Sequence, residues 1–237
     1  MTRDSQFAAY QQNAGAYDAQ NERRQRTFEK KVELLTGMMA HSPRECEKTI
    51  LEVGCGTGLF TDRLAEVLPN ASITASDAYP AMLQFARDRV GHRSNVRLLQ
   101  YDAEEVLSVD ERFDIVCGVD IIHHLDNPVK AMTNWLKCAK HGAALLFFES
   151  NPRNPILYLR SRNRPEEIRF KYNTQHNLSE WLMVSGWTNI SVKYIALYLP
   201  NLPRPLWSAC DQIERILHHL PLVRMISGGM LVSARAP

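Results

Sequence analysis

One stretch constrains the fold of this chain more than any other: Ile50-Leu51-Glu52-Val53-Gly54-Cys55-Gly56-Thr57-Gly58. Apolar, β-prone residues run directly into three alternating glycines, and a helical pattern follows from Leu59 to Leu68. A strand, a glycine loop and a helix in that order let a ligand lie against bare backbone, because glycine has no Cβ and tolerates positive φ. The spacing is G-x-G-x-G, not the G-x-G-x-x-G that holds a dinucleotide pyrophosphate, which disfavours NAD. A tight turn that simply needs glycine would use the same residues, so the rest of the chain must decide between the two.

Downstream the patterns alternate. The sequence predicts strand 49–53, helix 58–68, strand 72–76, helix 79–90, strand 95–100, a short helical turn at 103–107, strand 113–118, helix 127–139 and strand 143–149. Such alternation implies a parallel sheet with helices on both faces. Right-handed crossovers then bring every carboxyl end to one edge, where ligands bind. After Glu149 the rhythm changes. An insert, 151–173, holds Pro152, Pro155 and Pro165 and many arginines; helix Thr174 to Ser185 follows, with Gly186 as its stop, then strand 188–197. A second insert, 199–227, contains an amphipathic helix near 206–219, and Met230 to Ala234 form the last strand. Before the first strand, residues 1–39 read as polar helix, with Phe7, Tyr10 and Tyr17 spaced to share a side.

Composition narrows the function classes. A formal net charge of +2 over 237 residues supplies no global basic field for nucleic acid. The start is polar without an apolar h-region, and no apolar run is long enough to span a bilayer. The five cysteines form no C-x-x-C pair, and their odd number and wide spacing suit reduced thiols, so a cytoplasmic location is expected.

The glycine loop, preceded by Glu52, resembles that of class I S-adenosylmethionine (SAM)-dependent methyltransferases, and three later motifs extend the resemblance over residues 50–150. Ser72-Ile73-Thr74-Ala75-Ser76-Asp77 places an acid at the end of the second strand, about 20 residues beyond the loop, where it would accept ribose hydroxyls. Capping the following helix is the structural alternative for Asp77. Tyr101-Asp102-Ala103 resembles the adenine contact, and Phe113 to Leu125 resembles the fourth strand and its exit loop, with Asp114 structural and Val119 and Asp120 beside the methionine part. The resemblance implies a Rossmann-like seven-stranded methyltransferase fold in the α/β class, mostly parallel with an antiparallel last strand. It divides the chain into an N-terminal helical cap, 1–48, and a SAM-binding domain, 49–237. Cofactor contacts are then expected from Glu52, Gly54, Cys55, Gly56, Asp77, Ala78, Asp102, Ala103, Val119 and Asp120, and from Tyr17 on the cap.

The expected reaction moves a methyl group from SAM to a small molecule, at oxygen, with carbon or nitrogen as alternatives, leaving S-adenosylhomocysteine. The sulfonium donor is already reactive, so positioning can carry much of the step. His124, or His123, is the candidate general base. Adjacent histidines are expected to diverge, and no carboxylate or cysteine cluster lies nearby at metal-ligand spacing, so no metal is expected. Glu149, Arg153 and Arg160 are the candidate acceptor contacts, because arginine forks suit carboxylate or phosphate. Asn-Pro-Pro-Tyr is missing after the fourth strand, and Asn151-Pro152 follows the fifth instead, which disfavours nucleic-acid and glutamine substrates. The acceptor would be anionic or partly apolar. A carrier-bound or protein substrate, and a SAM-binding regulator without turnover, are the competing readings. Leu206, Cys210, Ile213, Leu217 and Leu220 share a helix face suited to core packing, to an apolar substrate wall or to peripheral membrane contact. Nothing in the sequence indicates an oligomeric state.

Overall fold

The computed structural model describes residues 25–40, 48–107, 111–162, 164, 167, 169–196 and 203–237. The first helix, α1 (Gln25–Ala40), precedes strand β1 (Thr49–Val53). Then come α2 (Leu59–Val67), β2 (Ser72–Asp77), α3 (Pro80–Val90), β3 (Val96–Gln100) and β4 (Phe113–Val119). A 3-10 turn at Ile122–His124 leads into α4 (Pro128–Cys138) and β5 (Ala139–Ser150). The remainder is α5 (Pro155–Ser161), α6 (Gln175–Val184), β6 (Thr188–Ile195), α7 (Trp207–His218), α8 (Pro221–Met225) and β7 (Gly229–Arg235).

The seven strands form one sheet in the order β3-β2-β1-β4-β5-β7-β6. The first five pair in parallel, and β7 lies antiparallel between β5 and β6. This is the fold expected from the alternation and the resemblance. Each sheet face carries its own core. On one face Trp135 of α4 stacks on Phe147 of β5, with centroids 4.9 Å apart. On the other, Phe60 and Leu64 of α2 pack with Ile50, Ile73 and Ile115. Val32, Leu35 and Met39 of α1 belong to that second core, so the described part of the N-terminal segment is anchored to the sheet by apolar burial.

Three local expectations change. Residues 103–105 form turns instead of the expected helical turn, because Asp102 Oδ1 accepts the Glu104 N–H and its carbonyl accepts that of Glu105. Strand β5 begins at Ala139, four residues earlier than predicted; Ala139 pairs with Phe113 before a register shift, an event set by the neighbouring strand. The insert at 151–173 contains a capped helix, α5, whose N-cap Asn154 accepts from the N–H groups of Ile156 and Leu157. Side-chain amides stitch this insert to the second one. Asn151 donates to the carbonyls of Met225 and Ser227, and Asn154 to that of Ile226.

Candidate cofactor and acceptor site

The glycine loop leaves β1 at the carboxyl edge. Gly54, Gly56 and Gly58 all take positive φ, at 70°, 55° and 80°. A Cβ on Gly54 would lie 2.6 Å from Ile121 Cδ1, and one on Gly58 would lie 3.1 Å from the Ala86 backbone. Those two glycines therefore serve close packing within the protein. Gly56 serves the site: its N–H donates to Asp77 Oδ2 at 2.9 Å. Asp77 Oδ1 accepts from Tyr79 N–H at 2.9 Å. Burial pushes the Asp77 carboxyl up, and the backbone N–H groups of Tyr79, Gly56 and Ala78 pull it back only in part. Two hydrogen bonds occupy two of roughly four lone-pair positions and leave acceptor capacity for a ligand hydroxyl.

Glu52, expected at the cofactor, lies beneath the loop. It is buried, and its Oε2 accepts from Thr61 Oγ1 at 2.7 Å, tying β1 to α2. Burial, with help from the Asp77 charge and against the Thr61 bond, pushes its carboxyl up to about 7. Cys55 is buried too; its N–H, donating to the Ser76 carbonyl, belongs to the loop's frame. Ala78 is exposed beside Asp77, and Ala103 is buried behind half-buried Asp102. Glu104 braces that corner, with Oε1 accepting the Asp126 N–H and its carbonyl accepting from Asn134.

The fourth strand exits through a strained corner. Asp120 has φ of 52°, in the left-handed region. Its Oδ1 accepts from the N–H and hydroxyl of Ser150, and its Oδ2 pairs with Lys31 of α1. Burial would raise this carboxyl, but Lys31 and His123 outweigh it and hold the group below its usual range. Half-buried Val119 packs against the α2-side core.

Glu149, expected in the acceptor pocket, is fully buried, and both its oxygens are held by protein donors. Its Oε1 accepts the N–H groups of Ile121 and Ile122 at 2.9 and 2.8 Å. Its Oε2 receives His123 Nδ1 at 2.9 Å and Asn173 Nδ2 at 2.7 Å. On its other side the His123 Nε2 faces Glu167 Oε2 at 3.3 Å. Burial alone would lower the imidazole pKa, but the bonds to Glu149 and Glu167 raise it to about 10. Carboxylates on both ring nitrogens favour the imidazolium of His123 and disfavour it as the general base. Half-buried His124 is the base candidate that remains.

The two histidines do not diverge. Their ring centroids lie 4.1 Å apart, and His123, His124 and Glu167 each bring one potential ligand atom within 4.8 Å of the others. Glu167 lies 44 residues from His123, so no local spacing announces it. Lys31, Ser150, Asn173 and Glu104 escape sequence reading for the same reason.

Of the arginine run, Arg169 pairs with Asp126, Arg153 is exposed, and Arg160 is half-buried in the last turn of α5. Above the carboxyl edge, α1 is clamped to α7. Arg26 donates to Glu214 at 3.1 and 2.8 Å and to Asp211 at 2.6 Å, and Lys30 reaches both carboxylates. Tyr17 lies outside the described residues. A cleft lined by Met38, Ile115, Asn189 and Arg235 is at the opposite, amino edge and touches none of these groups. Cys55, Cys117, Cys138 and Cys210 are free and buried.

Comparison with known proteins points to methyltransferases. Residues 50–142 match a methyltransferase-domain family. The chain is 34% identical over 145 residues to a malonyl-[acyl-carrier protein] O-methyltransferase of Paenibacillus sp. (strain JDR-2), covering 59% of this chain and 51% of that protein. It is 32% identical over 113 residues to the ubiquinone/menaquinone biosynthesis C-methyltransferase UbiE of Ectopseudomonas mendocina, covering 46% and 44%. The chain spans about half the length of the curated relatives it matches. Among solved structures, a SAM-dependent methyltransferase of Thermotoga maritima, described as a possible histamine N-methyltransferase, shares the fold. It superposes with a TM-score of 0.69 over 98% of this chain and 99% of that one, at 16% identity. The phosphoethanolamine N-methyltransferase 2 of Haemonchus contortus, solved with SAM, gives 0.61 over 84% and 51%, at 15%. Residues 50–142 thus match a methyltransferase domain, and the seven-stranded sheet is the fold of the SAM-dependent methyltransferase structures it resembles.

Proposed function

We propose that this protein transfers a methyl group from SAM to an acceptor oxygen on a small or carrier-bound molecule. The observation that carries this reading is the meeting of Gly56 and Asp77 at the carboxyl edge, beside the Asp120 corner. The donor set fits SAM: backbone at Gly56, a buried carboxylate with acceptor capacity at Asp77, and a half-buried acid at Asp102. Asp77 would take the ribose, Asp102 and Ala103 the adenine, and Gly54 to Gly56, Val119 and Asp120 the amino-acid end. When bound, SAM supplies a methyl group on a positively charged sulfur. The chain's own residues orient the acceptor and exclude water. Glu149 holds the backbone of Ile121 and Ile122 in place, and Lys31 holds α1 against Asp120. His124 takes the acceptor proton if one must leave and no metal ion holds its ring. Residues 25–40 are the described part of the N-terminal cap expected over the domain 49–237, and Arg153 and Arg160 draw in an anionic group. The site works in the cytoplasm on a substrate other than nucleic acid.

The carrier-bound acceptor has specific support, since several relatives are named malonyl-[acyl-carrier protein] O-methyltransferases and the 151–164 segment supplies Arg153, Arg160, Arg162 and Arg164. Incubating the protein with SAM and either free carboxylic acids or the same acyl groups on acyl-carrier protein tests both readings by S-adenosylhomocysteine release. Turnover with carrier-bound acids alone selects the carrier. SAM binding without turnover on any acceptor leaves a SAM-binding regulator.

A further inference from the structure

We propose that His123, His124 and Glu167 form a binding site for a divalent transition-metal ion of the zinc type, with Glu149 as its supporting carboxylate. Two imidazoles and one carboxylate are a donor set that such ions accept, and three protein ligands leave a position for water or an acceptor oxygen. The geometry is close to what the ion needs. Bonds of about 2.0–2.1 Å in a tetrahedron set neighbouring ligand atoms about 3.3 Å apart. His123 Nε2 and Glu167 Oε2 are separated by 3.3 Å, and all three candidate ligand atoms lie within 4.8 Å of one another.

The surroundings distinguish this cluster from a chance meeting of polar side chains. A metal-bound histidine almost always gives its other ring N–H to a carboxylate or carbonyl, which orients the ring. Glu149 does this for His123, across 2.9 Å and fully buried, and is itself held by Asn173 and two backbone N–H groups. Phe170 meets the His123 ring edge-on, centroids 5.6 Å apart, and limits its rotation. The site joins the 3-10 turn after β4 to the first insert, so a bound ion would pin Glu167 beside the Asp120 corner.

The experiment needs neither SAM nor an acceptor, so its failure is separate from that of the methyltransferase reading. Purified protein is stripped with chelator and titrated with Zn²⁺ by calorimetry and with Co²⁺ by visible absorption. The expected result is one ion per chain with a tetrahedral Co²⁺ spectrum. His124→Ala and Glu167→Gln, each at a half-buried position, should weaken binding by at least the roughly 10–100-fold typical of losing an outer-shell partner. Glu149→Gln, if it folds by circular dichroism, should weaken it by about that factor. Failure to bind either ion, or binding that survives both His124→Ala and Glu167→Gln, overturns the proposal; the latter would place the ion on other histidines.

Discussion

The N–H of Gly56 donates to the Oδ2 of Asp77 across 2.9 Å, so the two residues expected at one cofactor also hold each other. Asp77 therefore shapes the loop it works with. Asp77→Ala should weaken binding of SAM and S-adenosylhomocysteine by roughly 1–3 kcal/mol, since a charged acceptor is lost. Asp77→Asn should recover part of this, because the amide oxygen can still receive the Gly56 N–H. Calorimetry on both variants checks the claim, and unchanged affinity in the alanine variant removes Asp77 from the site.

Gly54 has a different duty from Gly56. Its φ of 70° and the Ile121 side chain above it leave no room for a Cβ. Gly54→Ala should cost about 1–3 kcal/mol of stability. The cost should shrink in an Ile121→Ala background, because the two nearest atoms, Cδ1 and Cγ1, are then gone. Denaturant melts of the four-member cycle measure the coupling; purely additive effects would contradict the packing role.

The clamp between α1 and α7 buries charge. Arg26 is 3% exposed and Glu214 is 1% exposed. Arg26→Met leaves the Glu214 carboxylate with Lys30 as its main cation and should destabilise the docked helices by about 3–5 kcal/mol. Arg26→Met with Glu214→Leu should recover most of the loss. Hydrogen exchange in 25–40 and 207–218 is the readout, and an unaltered rate in the single variant would show that the clamp is incidental.

His123 links stability to pH. Its folded pKa, about 10, lies above its unfolded value of about 6.5, so the folded state holds a proton that the unfolded chain releases. This contribution is whole below about pH 6.5 and is lost as pH rises through about 10. In chelator, stability should therefore fall across that window, and His123→Gln should flatten the slope. Denaturant unfolding at several pH values in both proteins is the measurement; parallel profiles would show that His123 is not the titrating group.

The acceptor assignment separates by kinetics. Replacing Arg153 and Arg160 with Ala should raise the acceptor KM with little change in SAM affinity, if those side chains meet an anion. An unchanged KM would move the acceptor elsewhere, most plainly toward the α7 insertion. Initial rates over a range of acceptor concentrations decide it.

Much of the fold was legible because its signals are local. Apolar strands, glycine stops and helical spacing lie within a few residues of one another, and the order of elements alone brings Gly56, Asp77, Asp102 and Asp120 to one sheet edge. Tertiary structure decided what those edges meet. Glu52 and Glu149 look alike from sequence, acids at strand ends, yet Glu52 turns beneath the loop to Thr61 and Glu149 is buried under His123. Whether a carboxylate faces a ligand or the protein depends on which distant donors reach it first. Lys31 reaches Asp120 from 89 residues away, and Glu167 reaches His123 through an insert whose path no periodicity encodes. A chain's local pattern sets where its backbone turns; only packing sets which charges are left facing one another, because that pairing is made across the fold.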